Sequence, residues 1–225
     1  MNIILVHGDN TEDSYKRLLT FIDEAIKRNW KIEKIDKSSK NDLRSMVKAE
    51  SLFNEERIFI VYGINTLDKK DQIWLKENSS DIEGTLVIYE KNNASATTLK
   101  HLPKGYKSEK YELPKLIFKF LDSFYPDNKT GCIKLFHEVI NTYSIEFVFT
   151  LLGSHVKDLY WVKVEPSKIP YPSWRVAKLE NQAGNFDDNH LKEILSKLAA
   201  IDIDVKTSKA TLAQSLDLLI IRELK

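Results

Sequence analysis

The chain has little of what small disulfide- or metal-stapled domains are built from. It holds one cysteine, Cys132, in 225 residues. That excludes an intramolecular disulfide and a cysteine-based metal cluster, and it fits a reducing compartment. Glycine is scarce at seven residues and proline at six, and no repeat is visible, which argues against solenoids and low-complexity tails. No apolar run reaches the length needed to cross a bilayer. The segment before Ile3-Ile4-Leu5-Val6 is too short and uncharged for a signal peptide, so a cytoplasmic location is expected. Charge of one sign is also missing. The 34 basic and 33 acidic residues leave a net charge of +1, so the molecule as a whole does not attract nucleic acid or anionic lipid from a distance. What is present is 42% hydrophobic and 30% charged residues, the balance of a soluble globular protein with one or two cores.

The two halves differ in period. Ile3–Val6 is a short apolar run of the kind that forms a strand covered on both faces. Tyr15, Leu18, Leu19, Ile22 and Ile26 follow at helical spacing. Lys31–Ile35 reads as a strand. Ser39 and Asp42 resemble a capping box for a helix whose inner face is Leu43, Met46 and Val47. Strands are expected at Ile58–Val61 and Leu86–Tyr89, and a last one at Lys107–Leu113. Helices are expected at Leu67–Leu75 and Ala96–Leu102. This alternation predicts a mostly parallel α/β sheet.

From Pro114 the period is 3.6 throughout. Five apolar stripes begin at Leu116, Ile133, Val148, Leu191 and Leu212. They predict an all-α bundle of about five helices over 113–225, after an α/β domain over 1–112.

The stretch "LVHGDNTEDSYKRL" (Leu5–Leu18) has the strand–loop–helix outline of a phosphate-binding loop. That motif needs G-x-x-x-x-G-K-[ST]. Here Gly8 is followed by Asp13, Ser14 and Tyr15 at the places of the second glycine, the lysine and the hydroxyl. Asp9, Glu12 and Asp13 bring negative charge to a place where a triphosphate would sit. Glu12 and Asp13 are better explained as partners of the helix dipole, and Gly8 as the turn. The outline of an ATPase is present without its chemistry.

Other enzyme constellations are missing. His7, His101, His137, His155 and His190 are scattered, without zinc spacing. His7 beside Gly8 is expected to be a hydrogen-bonding structural residue. No G-x-S-x-G elbow occurs. In "NFDDNH" (Asn185–His190), Asp187 or Asp188 is expected to cap the next helix. In "IDID", Asp202 sits on a polar face. No catalytic, cofactor-binding or metal-binding residue is assigned, and no cofactor is expected.

Three segments carry a family likeness. They are "SLFNEERIFIVYG" (Ser51–Gly63), "YELPKLIFKFLDSF" (Tyr111–Phe124), and the tail from "YPSWRVAKLENQAGNF" through "SLDLLIIREL". The chain resembles the delta subunit of the bacterial DNA polymerase III clamp loader. The resemblance implies an AAA+-like α/β domain without a working ATP site, followed by collar-like helices. It implies a subunit that binds and helps open the ring-shaped sliding clamp in DNA replication, through Ser51, Leu52 and Phe53. The collar-like helices would hold the other loader subunits, with DNA inside the complex and no membrane. One departure stands out: the small helical lid between the two domains is absent or strongly reduced.

Helical geometry bears on the Ser-Leu-Phe stretch. If the helix through Leu43 continues to Phe53, Leu52 falls about 180° from Leu43 and points away from the core. Phe53 falls nearer Met46. An outward Leu beside a Phe at a helix end is suited to filling a partner's apolar pocket. Burying both yields ~3–6 kcal/mol before the costs of association. In the alternative reading the helix unwinds after Glu50 and both side chains enter the core. The lysines at 100, 104, 107, 110, 115 and 119 are interrupted by Glu109 and Glu112 and read as a solvated surface. Two other functions fit the pattern of elements: an α/β enzyme using the strand ends for a nucleotide or small molecule, and a scaffold whose bundle alone binds partners.

Overall fold

The computed structural model describes residues 1–35, 43–48, 56–81, 83–187 and 189–225. Two compact units divide the chain, Met1–Leu113 and Pro114–Lys225. The first holds strands β1 (Asn2–His7), β2 (Lys31–Ile35), β3 (Arg57–Tyr62), β4 (Thr85–Tyr89) and β5 (Lys107–Lys110). Between them lie helices α1 (Thr11–Lys27), α2 (Leu43–Lys48), α3 (Lys69–Asn78) and α4 (Ala96–Lys100). All strands are parallel, in the order β2-β3-β4-β1-β5.

That order sorts the helices by face. The step from β1 to β2 passes over β4 and β3 in one direction, and every later step runs the other way. Right-handed crossovers then put α1 on one face and α2, α3 and α4 on the opposite face. The packing agrees. Leu18 and Ala25 of α1 lie with Ile4, Val6, Ile60 and Val87. Leu43, Val47 and Leu75 lie with Leu5, Phe59, Val61 and Leu86 on the other side. β1, β3 and β4 are buried on both faces, which is why they read as unbroken apolar runs.

Helix α1 differs from its apolar pattern. Its buried residues are Ser14, Leu18 and Ala25. Tyr15, Leu19 and Ile26 are 47%, 40% and 58% exposed. At 100° per residue these three form a stripe about 90° round from the line of Leu18 and Ala25, so only the flank facing the sheet is covered.

The second unit contains six helices among the described residues: α5 (Lys115–Asp122), α6 (Lys129–Ile140), α7 (Ile145–Val164), α8 (Ser173–Ala183), α9 (His190–Lys206) and α10 (Leu212–Glu223). α7 is central and touches α6, α8, α9 and α10. Its buried side chains Val148, Leu152, Val156, Leu159 and Val162 recur every three or four residues. The extra helix is α8. Its inner face is only Leu179, Gln182 and Ala183, too sparse to register as an apolar stripe. Gln182 is held inside because its Nε2 donates to the carbonyls of Leu121 and Phe124 at 2.8 and 2.9 Å, while its Oε1 faces His155 Nε2 at 3.1 Å. It thereby supplies a donor to the Phe124 carbonyl just past α5 and a second donor to the Leu121 carbonyl, which also accepts the Phe124 N–H at 3.2 Å. Between β5 and α5 lie only residues 111–114, with no helix in that link. Among the described residues no helix is long and apolar enough to cross a membrane.

Candidate functional site

Open parallel sheets bind ligands beyond the carboxyl ends of their strands, where successive connections leave in opposite directions. Here that place is the end of β1 beside β4, at His7, Gly8 and the loop into α1. Gly8 has φ of +139°, and a Cβ there would lie 2.0 Å from the Tyr111 carbonyl oxygen. Glycine is required by this close approach of two backbones.

Five of the amides in and beside this loop are already used. Gly8 N–H donates to the Asn92 carbonyl at 3.3 Å, and Asn10 N–H to the Tyr111 carbonyl at 3.1 Å. Thr11 N–H donates to the Asp9 carbonyl at 3.0 Å and Ser14 N–H to the Asn10 carbonyl at 3.1 Å. Asp13 N–H donates to Asn10 Oδ1 at 3.1 Å, which makes Asn10 the N-cap of α1. A phosphate cradle needs such N–H groups free and aimed at the ligand. These five serve protein acceptors instead. Glu12 and Asp13 occupy the first turn of α1, where acids complement the helix dipole.

The strand-end carboxylates are also engaged. Glu90 Oε1 accepts the Ile64 N–H at 2.5 Å. Asp9 accepts from the Asn93 side-chain amide. His7 is 5% exposed, with Nδ1 accepting the Ala94 N–H at 3.2 Å and Nε2 at 3.0 Å from Ser108 Oγ. Burial, then Lys110, hold its pKa below the ordinary histidine value. His7 is thus a neutral structural hydrogen-bonder. Across the sheet edge Arg17 grips Glu109 with two hydrogen bonds, at 2.7 and 3.1 Å, and its guanidinium lies 4.3 Å from the Phe21 ring centre. On the α1 face the ring of Tyr89 meets Tyr15 and Tyr62 edge-on at 6.0 and 6.4 Å between centroids.

Ser51, Leu52 and Phe53 lie outside the described residues, as do Ser39 and Asp42 of the expected capping box. Helix α2, which leads toward Ser51, does direct Leu43 and Val47 into the core, with Met46 partly buried against them. In the lysine run, Lys107 pairs with Glu109 at 2.7 Å and Lys110 pairs with Glu112. Asp187 does not cap α9 with its side chain. The N-cap position is Asn189, and His190 N–H donates to the Asp187 main-chain carbonyl at 3.1 Å; Asp188 lies outside the described residues. Among the described residues no group of His, Cys, Asp and Glu could hold a metal ion. In the second unit a shallow groove of about 350 Å³ runs between α9 and α10. It is lined by Ala200, Ile201, Leu218 and Leu219, with the Lys197–Glu223 pair at its edge.

Neither the cap at Asn10 nor the loop's acceptors is among the expectations drawn from the sequence. Asn10 stands one residue before the helix and carried a readable cap signal. Asn92, Ala94, Ser108 and Tyr111 reach the loop only through the sheet order.

No protein-family model matches the chain, and no curated protein matches it in sequence. Solved structures are similar to it at low identity. The Bacillus subtilis DNA clamp loader delta protein is 11% identical, with a TM-score of 0.47, over 100% of this chain and 95% of that one. A DNA polymerase III gamma subunit-related protein from Thermotoga maritima is 10% identical, with a TM-score of 0.36, over 99% and 93%. A chain of the Drosophila ORC complex bound to DNA and Cdc6 is 11% identical, with a TM-score of 0.35, over 89% of this chain and 46% of its own.

Proposed function

We propose that this protein is a non-catalytic clamp-loader subunit that binds and helps open the sliding clamp during DNA replication. The observation that carries the reading is the loop after β1. It has the position of an ATPase phosphate loop, yet Gly8 and Asn10 give their N–H groups to the Asn92 and Tyr111 carbonyls. A nucleotide-type scaffold with its anion cradle filled by its own backbone is suited to work by contact. The likeness of Ser51–Gly63, Tyr111–Phe124 and the tail to clamp-loader delta subunits supplies the partner.

In this reading Leu52 and Phe53 fill an apolar pocket on the clamp, with Ser51 beside them. Opening needs no covalent chemistry. A subunit that prefers the opened clamp shifts the equilibrium toward it by its differential affinity. The α/β unit is the handle, and α5–α10 hold the other loader subunits, with DNA inside the complex. The groove between α9 and α10 is the natural surface for that second role. A cytoplasmic location and the absence of a cofactor follow from the same reading.

The test is co-elution with the sliding clamp of the same organism, comparing wild type with Leu52→Ala plus Phe53→Ala. Binding by wild type and its loss in the double variant is the expected result. Equal binding by both removes the plug. No binding by wild type removes the function.

A further inference from the structure

Three consecutive residues at the end of β1 hold the loop between β4 and α4. His7 Nδ1 accepts the Ala94 N–H at 3.2 Å, Gly8 N–H donates to the Asn92 carbonyl at 3.3 Å, and Asp9 accepts from the Asn93 side chain. An N–H group can only donate, so Nδ1 must carry a lone pair. The ring proton therefore sits on Nε2, 3.0 Å from Ser108 Oγ on β5. This arrangement admits only the neutral ring. The geometry points to a proton-released clasp, in which neutral His7 keeps the Asn92–Ser95 loop on the end of β1 and a proton on Nδ1 lets that loop go.

A second ring proton would turn Nδ1 into a donor facing the Ala94 N–H. One hydrogen bond is lost and two donors are opposed. The cation would also sit at a residue only 5% exposed. The charged groups facing His7 are Lys110 on β5, Glu90 at the end of β4 and Asp9 in its own loop. Burial and Lys110 oppose the proton; Glu90 and Asp9 favour it more weakly. The clasp is therefore shut at neutral pH and opens below the ordinary histidine range of about 6.5. Opening frees the Gly8 N–H at the strand end. It also releases Ser95, whose hydroxyl caps α4 through the Thr98 N–H at 3.1 Å.

The experiment is an NMR pH titration of the full chain with amide exchange, on wild type and His7→Gln. In wild type, protection at Ala94 and Gly8 should fall about five- to tenfold, with the midpoint of the His7 ring, while Ile60 in β3 keeps its protection. In His7→Gln the step should vanish. The clasp is overturned if Ala94 is unmoved while His7 titrates, if the step survives in the variant, or if Ile60 loses protection at the same midpoint. Should the variant not fold, the wild-type comparison of His7, Ala94 and Ile60 decides alone. The outcome is independent of clamp binding.

Discussion

Arg17 of α1 and Glu109 of β5, 92 residues apart, form a two-pronged ion pair at 2.7 and 3.1 Å. It ties α1 to the edge strand. The Arg17 bond, helped by Lys107, holds the Glu109 carboxyl at about 2 rather than 4.5, against the opposing effect of burial. A carboxylate depressed in the folded state adds stability above its unfolded pKa and loses it as pH falls through the folded value. Stability should therefore decline from about pH 4.5 toward pH 2. Arg17→Ala should cost about 1–2 kcal/mol at neutral pH and raise the Glu109 midpoint, read by urea denaturation and carboxyl NMR.

Gly8→Ala should be severely destabilising. The new methyl would meet the Tyr111 carbonyl at 2.0 Å, with φ at +139°. Backbone strain and the displaced strand end together should cost about 3 kcal/mol or more. A marked fall in the thermal midpoint is expected, and an unchanged one would contradict the close packing at this residue.

ATP with magnesium should leave the melting temperature unchanged at millimolar concentration, because ligand stabilisation requires binding to the folded state. A clear ATP-dependent shift would favour the nucleotide-using alternative.

Gln182→Leu should cost about 1–3 kcal/mol by removing the donor to the Phe124 carbonyl and one of the two donors to the Leu121 carbonyl. The loss should show as a lower urea midpoint with an unchanged slope.

Leu52→Ala with Phe53→Ala should weaken clamp binding about a hundredfold or more, from the ~3–6 kcal/mol their burial can supply. Surface plasmon resonance with immobilised clamp would measure it, and circular dichroism should stay that of wild type.

Four strands were legible because burial on both faces, or on one face and an edge, leaves short apolar runs such as Ile58–Val61 and Leu86–Tyr89. β5 was harder. Its sequence Lys-Ser-Glu-Lys carries no apolar signal, because it is an edge strand blunted with charge. Helix α8 escaped the count of stripes because a glutamine, Gln182, stands where a leucine would mark the face. The missing Gly-Lys-Ser/Thr of the first loop was visible directly. What fills it was not, since Asn92, Ala94, Ser108 and Tyr111 come together only through strand order. Periodicity also overstated the core of α1, because a helix on a sheet buries one flank and leaves Tyr15 and Ile26 outside it.

The placement of β1 also sets a timetable. β1 leaves the ribosome well before its ladder partners, Thr85–Tyr89 and Lys107–Lys110. Its hydrogen-bonding edges must wait while roughly a hundred further residues are made, at about 5–20 per second. During those seconds the apolar run Ile3–Val6 has no native mate. Closure of the sheet is thus a late, long-range event in synthesis, and slow by the logic of distant contacts.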